Sequence, residues 1–303
     1  MSYKNKRSTG DIIFDTFNVM LLLIIGISTL YPFLRIVAIS LSAPYALTGY
    51  PMSIIPKDFT LESYASIMKN GKITRAFINS SFITVFGTAA DVMLTVMLAY
   101  PLSKKRLPYR DFFTSLCVFT MFFSGGLIPT FLVMRDIGLY NTRLVMILMG
   151  SVSVWNLMVA RTYIQTSIPH ELYEAAMLDG ASHFDYFFRC VIPLSKTIIA
   201  VLVVYYGVAK WNDYFTGLVY LKDRSLLPLQ TVLREILATL QVDKSGDYML
   251  SISENAASMN EAIRTANVAK YCIIVIATGP VVILYAFLQK YFEKGIMIGS
   301  LKG

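Results

Sequence analysis

Apolar residues dominate six long stretches of this chain, about Phe14 to Leu41, Ala76 to Leu102, Phe112 to Val133, Leu144 to Tyr163, Thr197 to Leu221 and Val268 to Leu288. None alternates polar and apolar residues as a barrel strand does, and each has about the 20 residues that a helix needs to cross roughly 30 Å of hydrocarbon. Backbone groups in lipid must be satisfied within their own segment. The pattern therefore predicts an all-α, polytopic membrane protein of six transmembrane helices, with residues 14–289 as the membrane domain between tails 1–13 and 290–303.

The polar connections set the topology. Basic residues crowd the N-terminal tail, with Lys4, Lys6 and Arg7, and the turn that holds Lys104, Lys105, Arg106 and Arg110. Short loops rich in Lys and Arg stay cytoplasmic. Six crossings counted from there put the N-terminal tail, residues 164–196 and the tail after Gln289 inside, and residues 42–75, 134–143 and 222–267 outside. The basic N-terminus resembles a signal peptide, but its apolar run continues too far and no small-residue cleavage site closes it, so it reads as a retained span. In the longest outer segment Leu229, Val232, Leu233, Ile236, Leu237 and Leu240 share one helical face. This reads as an amphipathic surface helix, with a partner-docking face as the functional alternative. Around it, Arg234, Lys244 and Arg264 balance Asp243, Asp247, Glu254 and Glu261.

Composition supports a bilayer as solvent. Of 303 residues 55% are hydrophobic and 15% charged, against about 25% charged in a soluble domain, and the mean hydropathy is +0.57. The net charge of +8 comes from basic residues at the ends of apolar runs, which signals topology and not a nucleic-acid face. Cys117, Cys190 and Cys272 lie far apart and the only histidines are His170 and His183, so neither a disulfide framework nor a metal centre is expected. No Gly-x-x-x-x-Gly-Lys-Ser/Thr segment occurs, and ATP hydrolysis by that route is excluded.

The segment 169–194 parses as two short helices around a turn. Pro169 suits a first helical turn, and Glu171 and Glu174 complement its positive dipole end. Gly180 supplies a left-handed stop. Ser182 with Asp185 forms a capping pattern, behind which Phe184, Phe187, Phe188 and Val191 make an apolar stripe that Pro193 ends. On the first helix Ala175 and Ala176 leave a low surface flanked by Glu174 and Asp179, suited to close contact and not to catalysis. The plain alternative is a tidy hairpin between spans.

A second polar set lies within the spans, where a charge costs about 2.5 to 3.5 kcal/mol on insertion scales and turns to the protein interior or a wet cavity. It comprises Asp91 in the second run and Lys210, Trp211, Asn212, Asp213 and Tyr214 in the fifth. Lys210 and Asp213 stand three apart and could neutralise each other, and Trp211 and Tyr214 offer flat amphipathic surfaces that can stack on sugar rings. These residues line a translocation path or serve as helix–helix glue; sequence leaves both open.

Several motifs carry a family resemblance. Glu174-Ala175-Ala176, Asp179-Gly180-Ala181 and Ile192-Pro193 resemble the Glu-Ala-Ala loop of bacterial binding-protein-dependent ABC importer permeases. Asn79-Ser80, Ala99-Tyr100-Pro101-Leu102-Ser103, Trp211-Asn212, Tyr291-Phe292, Lys294-Gly295 and Lys302-Gly303 are similar to the sugar-permease branch that includes the maltose permease. FSGGLIPTFLV and LLPLQTVLREIL resemble a subgroup associated with complex oligosaccharides. The likeness covers nearly everything after the first span, with Ile192 where the motif commonly has Leu.

The resemblance implies the type I importer permease fold and a transport subunit that is not an enzyme and needs no cofactor. Glu174, Ala175, Ala176, Asp179 and Gly180 would contact a cytoplasmic ATPase. A second homologous permease, two ATPase subunits and an extracytoplasmic sugar-binding protein are implied as partners in the bacterial plasma membrane, with both termini cytoplasmic. The tail GIMIGSLKG resembles the segment that enters the ATPase dimer. An ion-driven secondary transporter and a membrane enzyme acting on lipid-linked sugars are the rivals. The first lacks the internal repeats expected of it, and the second lacks converging acid–base or metal residues.

Overall fold

The computed structural model describes residues 9–47, 54–69, 71–242, 268–287 and 289. The outer stretch 243–267 with Lys244, Arg264 and its acidic residues, the N-terminal Lys4, Lys6 and Arg7, and the closing motifs from Tyr291 to Gly303 lie outside the described residues. Those described are helical, with one isolated bridge between Ser42 and Phe59.

Among the described residues three helices are long and apolar enough to cross a membrane: α1 (Thr9–Ser40), α3 (Gly71–Ser103) and α14 (Val268–Phe287). The short α2 (Glu62–Lys69) precedes α3. The third expected span is broken. Gly126 takes φ +86°, a conformation open to glycine, so α4 (Arg110–Phe122) and α5 (Leu127–Asp136) meet at 113°. The fourth breaks at Gly150, φ +71°, into α6 (Arg143–Leu148) and α7 (Val154–Ser167). After it come α8 (His170–Leu178), α9 (His183–Tyr186), a π turn over Phe187–Val191 and α10 (Ile192–Leu194).

The fifth span is α11 (Lys196–Asn212), which stops before α12 (Phe215–Tyr220). The segment His183–Leu194 meets α11 at 77°. By length and composition the described helices supply three crossings, or five if each bent pair is one. The expected fourth span falls short because neither piece of it is long enough alone.

The chain divides into two compact units, residues 1–70 with 237–276 and residues 71–236 with 277–303. In the first, α1 leaves its apolar side chains bare on all sides until Ala38 and Ser40. A helix apolar all round and uncovered calls for lipid or another chain, not water. Its end is tied down: the Ser40 carbonyl accepts from Cys272 at 3.2 Å and the Ser40 hydroxyl accepts from Tyr64 at 2.7 Å.

The second unit is built on α3, which packs against α6, α7 and α11. One buried cluster joins Val96, Ala99, Leu157, Ala160, Tyr186, Val191, Leu202 and Tyr206. Another joins Ile83, Val145, Met146, Tyr220, Leu221 and Leu227. The expected amphipathic helix is α13 (Leu229–Val242), whose Leu229 and Leu233 are buried while Arg234 and Glu235 are exposed.

Asn79 clasps the segment that leads into α13. It is 1% exposed. Its amide donates to the carbonyls of Ser225 and Leu227 at 2.8 and 3.2 Å and accepts from Arg143 at 3.0 Å. The neighbouring Ser80 hydroxyl accepts from the Leu229 amide at 2.8 Å. Asn79→Leu keeps the volume but strands these groups, at about 1–3 kcal/mol for a buried group left unpaired. The thermal unfolding midpoint of the purified protein should fall accordingly. An unchanged midpoint would mean that residues 225–229 hold themselves in place without α3.

Candidate functional site

The polar loop has the form that its sequence predicts, with three adjustments. Gly180 is left-handed at φ +77°. Ala181 and Gly180 donate to the carbonyls of Ala176 and Met177 at 3.0 and 3.1 Å, which closes α8 as a Schellman motif. Ser182 and Asp185 form a reciprocal capping box, and the Ser182 bonds hold the Asp185 carboxyl below the usual carboxylate range. Pro169 is the residue before the helix and not part of its first turn.

The second adjustment is the aromatic stripe. Tyr186, Phe187 and Val191 are buried, whereas Phe184 and Phe188 are exposed. Pro193 lacks the N–H that an α-ladder needs, and the ladder upstream widens into the π turn, bringing Phe187 and Val191 onto one side. The chain then turns at Ser195 instead of at Pro193.

The third concerns α8 itself. Tyr173, Ala176 and Met177 pack on the core cluster, while Glu171, Glu174, Ala175 and Leu178 point away. Ala176 therefore lies on the inner side of the helix, and Asp179 and Gly180 form its exposed end. Leu178 is 89% exposed. Sequence reasoning passed over it, although its place three residues after Ala175 puts it on the same face. Glu174 stands 3.4 Å from His170 and 3.9 Å from Arg106, which links α8 to the basic turn after α3. Arg161 of α7 caps α3 by donating to the Leu102 carbonyl at 3.0 Å.

The intramembrane set assembles differently from its expected pairing. Lys210 does not neutralise Asp213. Its ammonium donates to the carbonyls of Met146, Ile147 and Met149 at 3.1, 2.8 and 2.9 Å, the acceptors freed where the fourth span breaks. An ammonium has three donors, and all are used. Asp91, fully buried, sits 3.4 Å from the same nitrogen and holds it by charge, without a well-directed hydrogen bond. Four residues earlier on α11, the Tyr206 hydroxyl accepts from the Ser153 amide at 3.0 Å, on the far side of the break, and meets Thr95 at 2.7 Å.

Asp213 instead accepts from the Thr216 amide at 3.0 Å at the start of α12. Trp211 is 5% exposed; its indole donates to the Ala277 carbonyl at 2.7 Å and its ring meets Phe77 edge-on at 5.7 Å. Beside it is an apolar cavity of about 210 Å³ lined by Ser81, Thr84, Val85, Gly207, Pro280 and Leu284. Asn212 is exposed and accepts from Gln230 at 3.4 Å. Tyr214 lies under the Arg234 guanidinium at 4.3 Å. Thus the four residues surround the break between α11 and α12 but do not converge on one open face.

Residues 63–298 match the family described as binding-protein-dependent transport system inner membrane component. The chain belongs to this family. The Protein LplC of Bacillus subtilis (strain 168) is 38% identical over 291 residues, 96% of this chain and 95% of that one. The polygalacturonan/rhamnogalacturonan transport system permease protein YtcP of the same organism is 35% identical, over 96% of this chain and 99% of its own. Among solved structures, a chain of a bacterial ABC transporter involved in the import of the acidic polysaccharide alginate superposes with a TM-score of 0.83. It is 31% identical, and the match covers 95% of this chain and all of that one. Family members are transport components and not enzymes, and this permease is a multi-pass membrane protein.

The hub around Lys210 can be tested by substitution. Lys210→Met leaves the Asp91 carboxyl unpaired and three carbonyls without donors; breaking a buried pair this way costs about 3–5 kcal/mol. Asp91→Asn keeps all three carbonyl bonds and is expected to destabilise less. The double variant should regain part of the loss, a coupling that unfolding in detergent would read as non-additivity. Additive losses of equal size would show that the carboxylate and the ammonium act independently.

Proposed function

We propose that this permease is the membrane subunit of an ATP-driven bacterial importer for a carbohydrate of oligosaccharide size, and that α8 is its coupling helix. The family match, together with an outward face of α8 made of Glu171, Glu174, Ala175 and Leu178, carries the reading. The carbohydrate class rests on the relatives, whose names specify polygalacturonan/rhamnogalacturonan, the acidic polysaccharide alginate and melibiose/raffinose/stachyose.

In this reading two cytoplasmic ATPase subunits, a second homologous permease and an extracytoplasmic sugar-binding protein complete the importer. Both termini are cytoplasmic: the basic turn after α3 supports this for the N-terminus on the positive-inside rule, and six crossings extend it to the C-terminus. Leu178 enters an ATPase groove and the acidic residues around it meet basic ones there. Residues 14–289 act as one permease domain, and the tail after Gln289 reaches the ATPase dimer. Closure of the ATPases moves α8, and with it Tyr173 and Met177 on the core cluster, so the spans rock between inward-open and outward-open states. Trp211, Asn212, Asp213 and Tyr214 lie along the path. An ion-driven carrier fits less well: Asp91 is held by Lys210 and Asp213 by an amide, which leaves neither as a free proton relay.

The test is uptake by proteoliposomes containing the copurified subunits. Leu178→Glu should abolish ATP-dependent uptake and copurification of the ATPase, since an interface anchor is worth about 2 kcal/mol or more. The unfolding midpoint should change little, because Leu178 is 89% exposed. Uptake that follows an ion gradient and ignores ATP would sink the proposal.

A further inference from the structure

Where the apolar α3 ends at Ser103, the basic turn and α8 enclose a cavity of about 410 Å³. Its polar lining is Lys104, Lys105, Arg106, His170, Tyr173 and His183, with no carboxylate among the lining residues. Pro101, Leu107 and Pro108 supply an apolar floor. The volume is in the range of small-ligand sites.

The charge in this cavity is poorly compensated from within. Lys104 places its ammonium 4.4 Å from the Tyr173 ring centre, 5.0 Å from that of Tyr186 and 5.1 Å from that of Tyr100. No carboxylate among the described residues pairs with it, and burial pulls its pKa below the usual range. Glu174, the carboxylate that reaches this region, contacts His170 and, at 3.9 Å, Arg106 from a largely exposed position. Cation–π contacts offset part of the desolvation of Lys104. An anion offsets the rest.

We propose that this cavity binds the phosphate of an anionic phospholipid headgroup, clamped by Lys104, Lys105 and Arg106 where α3 leaves the membrane. Position selects lipid over free phosphate. The cavity sits at the end of a 33-residue helix apolar enough to cross a membrane, beside the basic cluster that the positive-inside rule sets at the cytoplasmic headgroups. The chain beyond it exposes Tyr109, Phe112, Phe113 and Leu116, an apolar flank for acyl chains. Basic pockets beside membrane helices recognise phosphate headgroups in this way. A lipid seated there would brace α8 from behind, leaving its outward face free.

Native mass spectrometry of the full-length protein in non-ionic detergent provides the test, with short-chain phosphatidylglycerol, short-chain phosphatidylcholine and inorganic phosphate as separate probes. Phosphatidylglycerol should be retained at least tenfold better than phosphatidylcholine. Each basic residue removed should weaken it about fivefold, so Lys105→Gln with Arg106→Gln, both exposed, should erase most of the preference. Lys104→Gln is a second variant, and Lys222→Gln with Arg224→Gln, distant in the fold, should bind as the parent does. Equal retention of the two lipids, or retention unaffected by Lys105→Gln with Arg106→Gln, overturns the proposal. Inorganic phosphate that binds without any phosphatidylglycerol preference overturns the lipid as the source. No ATPase takes part, so this outcome is separate from that of the coupling test.

Discussion

An ammonium group at the centre of the second unit does what a helix would otherwise do for itself. The fourth apolar run breaks at Gly150, and the break frees carbonyls and an amide within the span that need partners from elsewhere. Lys210 takes the carbonyls and Tyr206 takes the Ser153 amide, from positions one helical turn apart on α11. Asp91 and Thr95, one turn apart on α3, meet the same two side chains. Three spans are tied together around one interruption, and the packing of α3 against α11 follows from it. Space is tight there: a Cβ on Gly87 would stand 3.2 Å from the Lys210 side chain.

This hub and the polar loop are joined through the core cluster. Tyr206 belongs to the same buried set as Tyr186 and Val191, against which Tyr173 and Met177 of α8 pack. Dense cores transmit displacement as discrete rearrangement and not as gradual deformation. α8 is thus packed onto the spans through aromatic contacts such as Tyr173 with Tyr186, whose ring centres are 5.4 Å apart. The Schellman closure at Gly180 and the capping box at Ser182 fix the form of the loop.

The features of the loop that depend on neighbours in sequence were legible in advance. A left-handed glycine, a Ser–Asp box and a proline are local devices, and each acts within five residues of itself. The long apolar runs were legible for the same reason, since length and hydropathy are properties of a segment. What went astray required knowledge of partners. The Lys210–Asp213 pairing followed from helical spacing, but Asp91, more than a hundred residues earlier, lies closer in the fold. The unbroken third and fourth spans overlooked that a glycine in a run can take positive φ when other elements serve the freed backbone. Leu178 looked like one more apolar helix position until its exposure set it apart.

By itself, the sequence determined an all-helical membrane protein, the family and the form of the polar loop, because hydropathy, caps and turn residues are written locally. Tertiary structure alone decided which charges meet, where the spans bend, which face of α8 is bare and which side chains close on Lys104. Those depend on the distances between segments that are remote along the chain, and a single helical period carries no record of them.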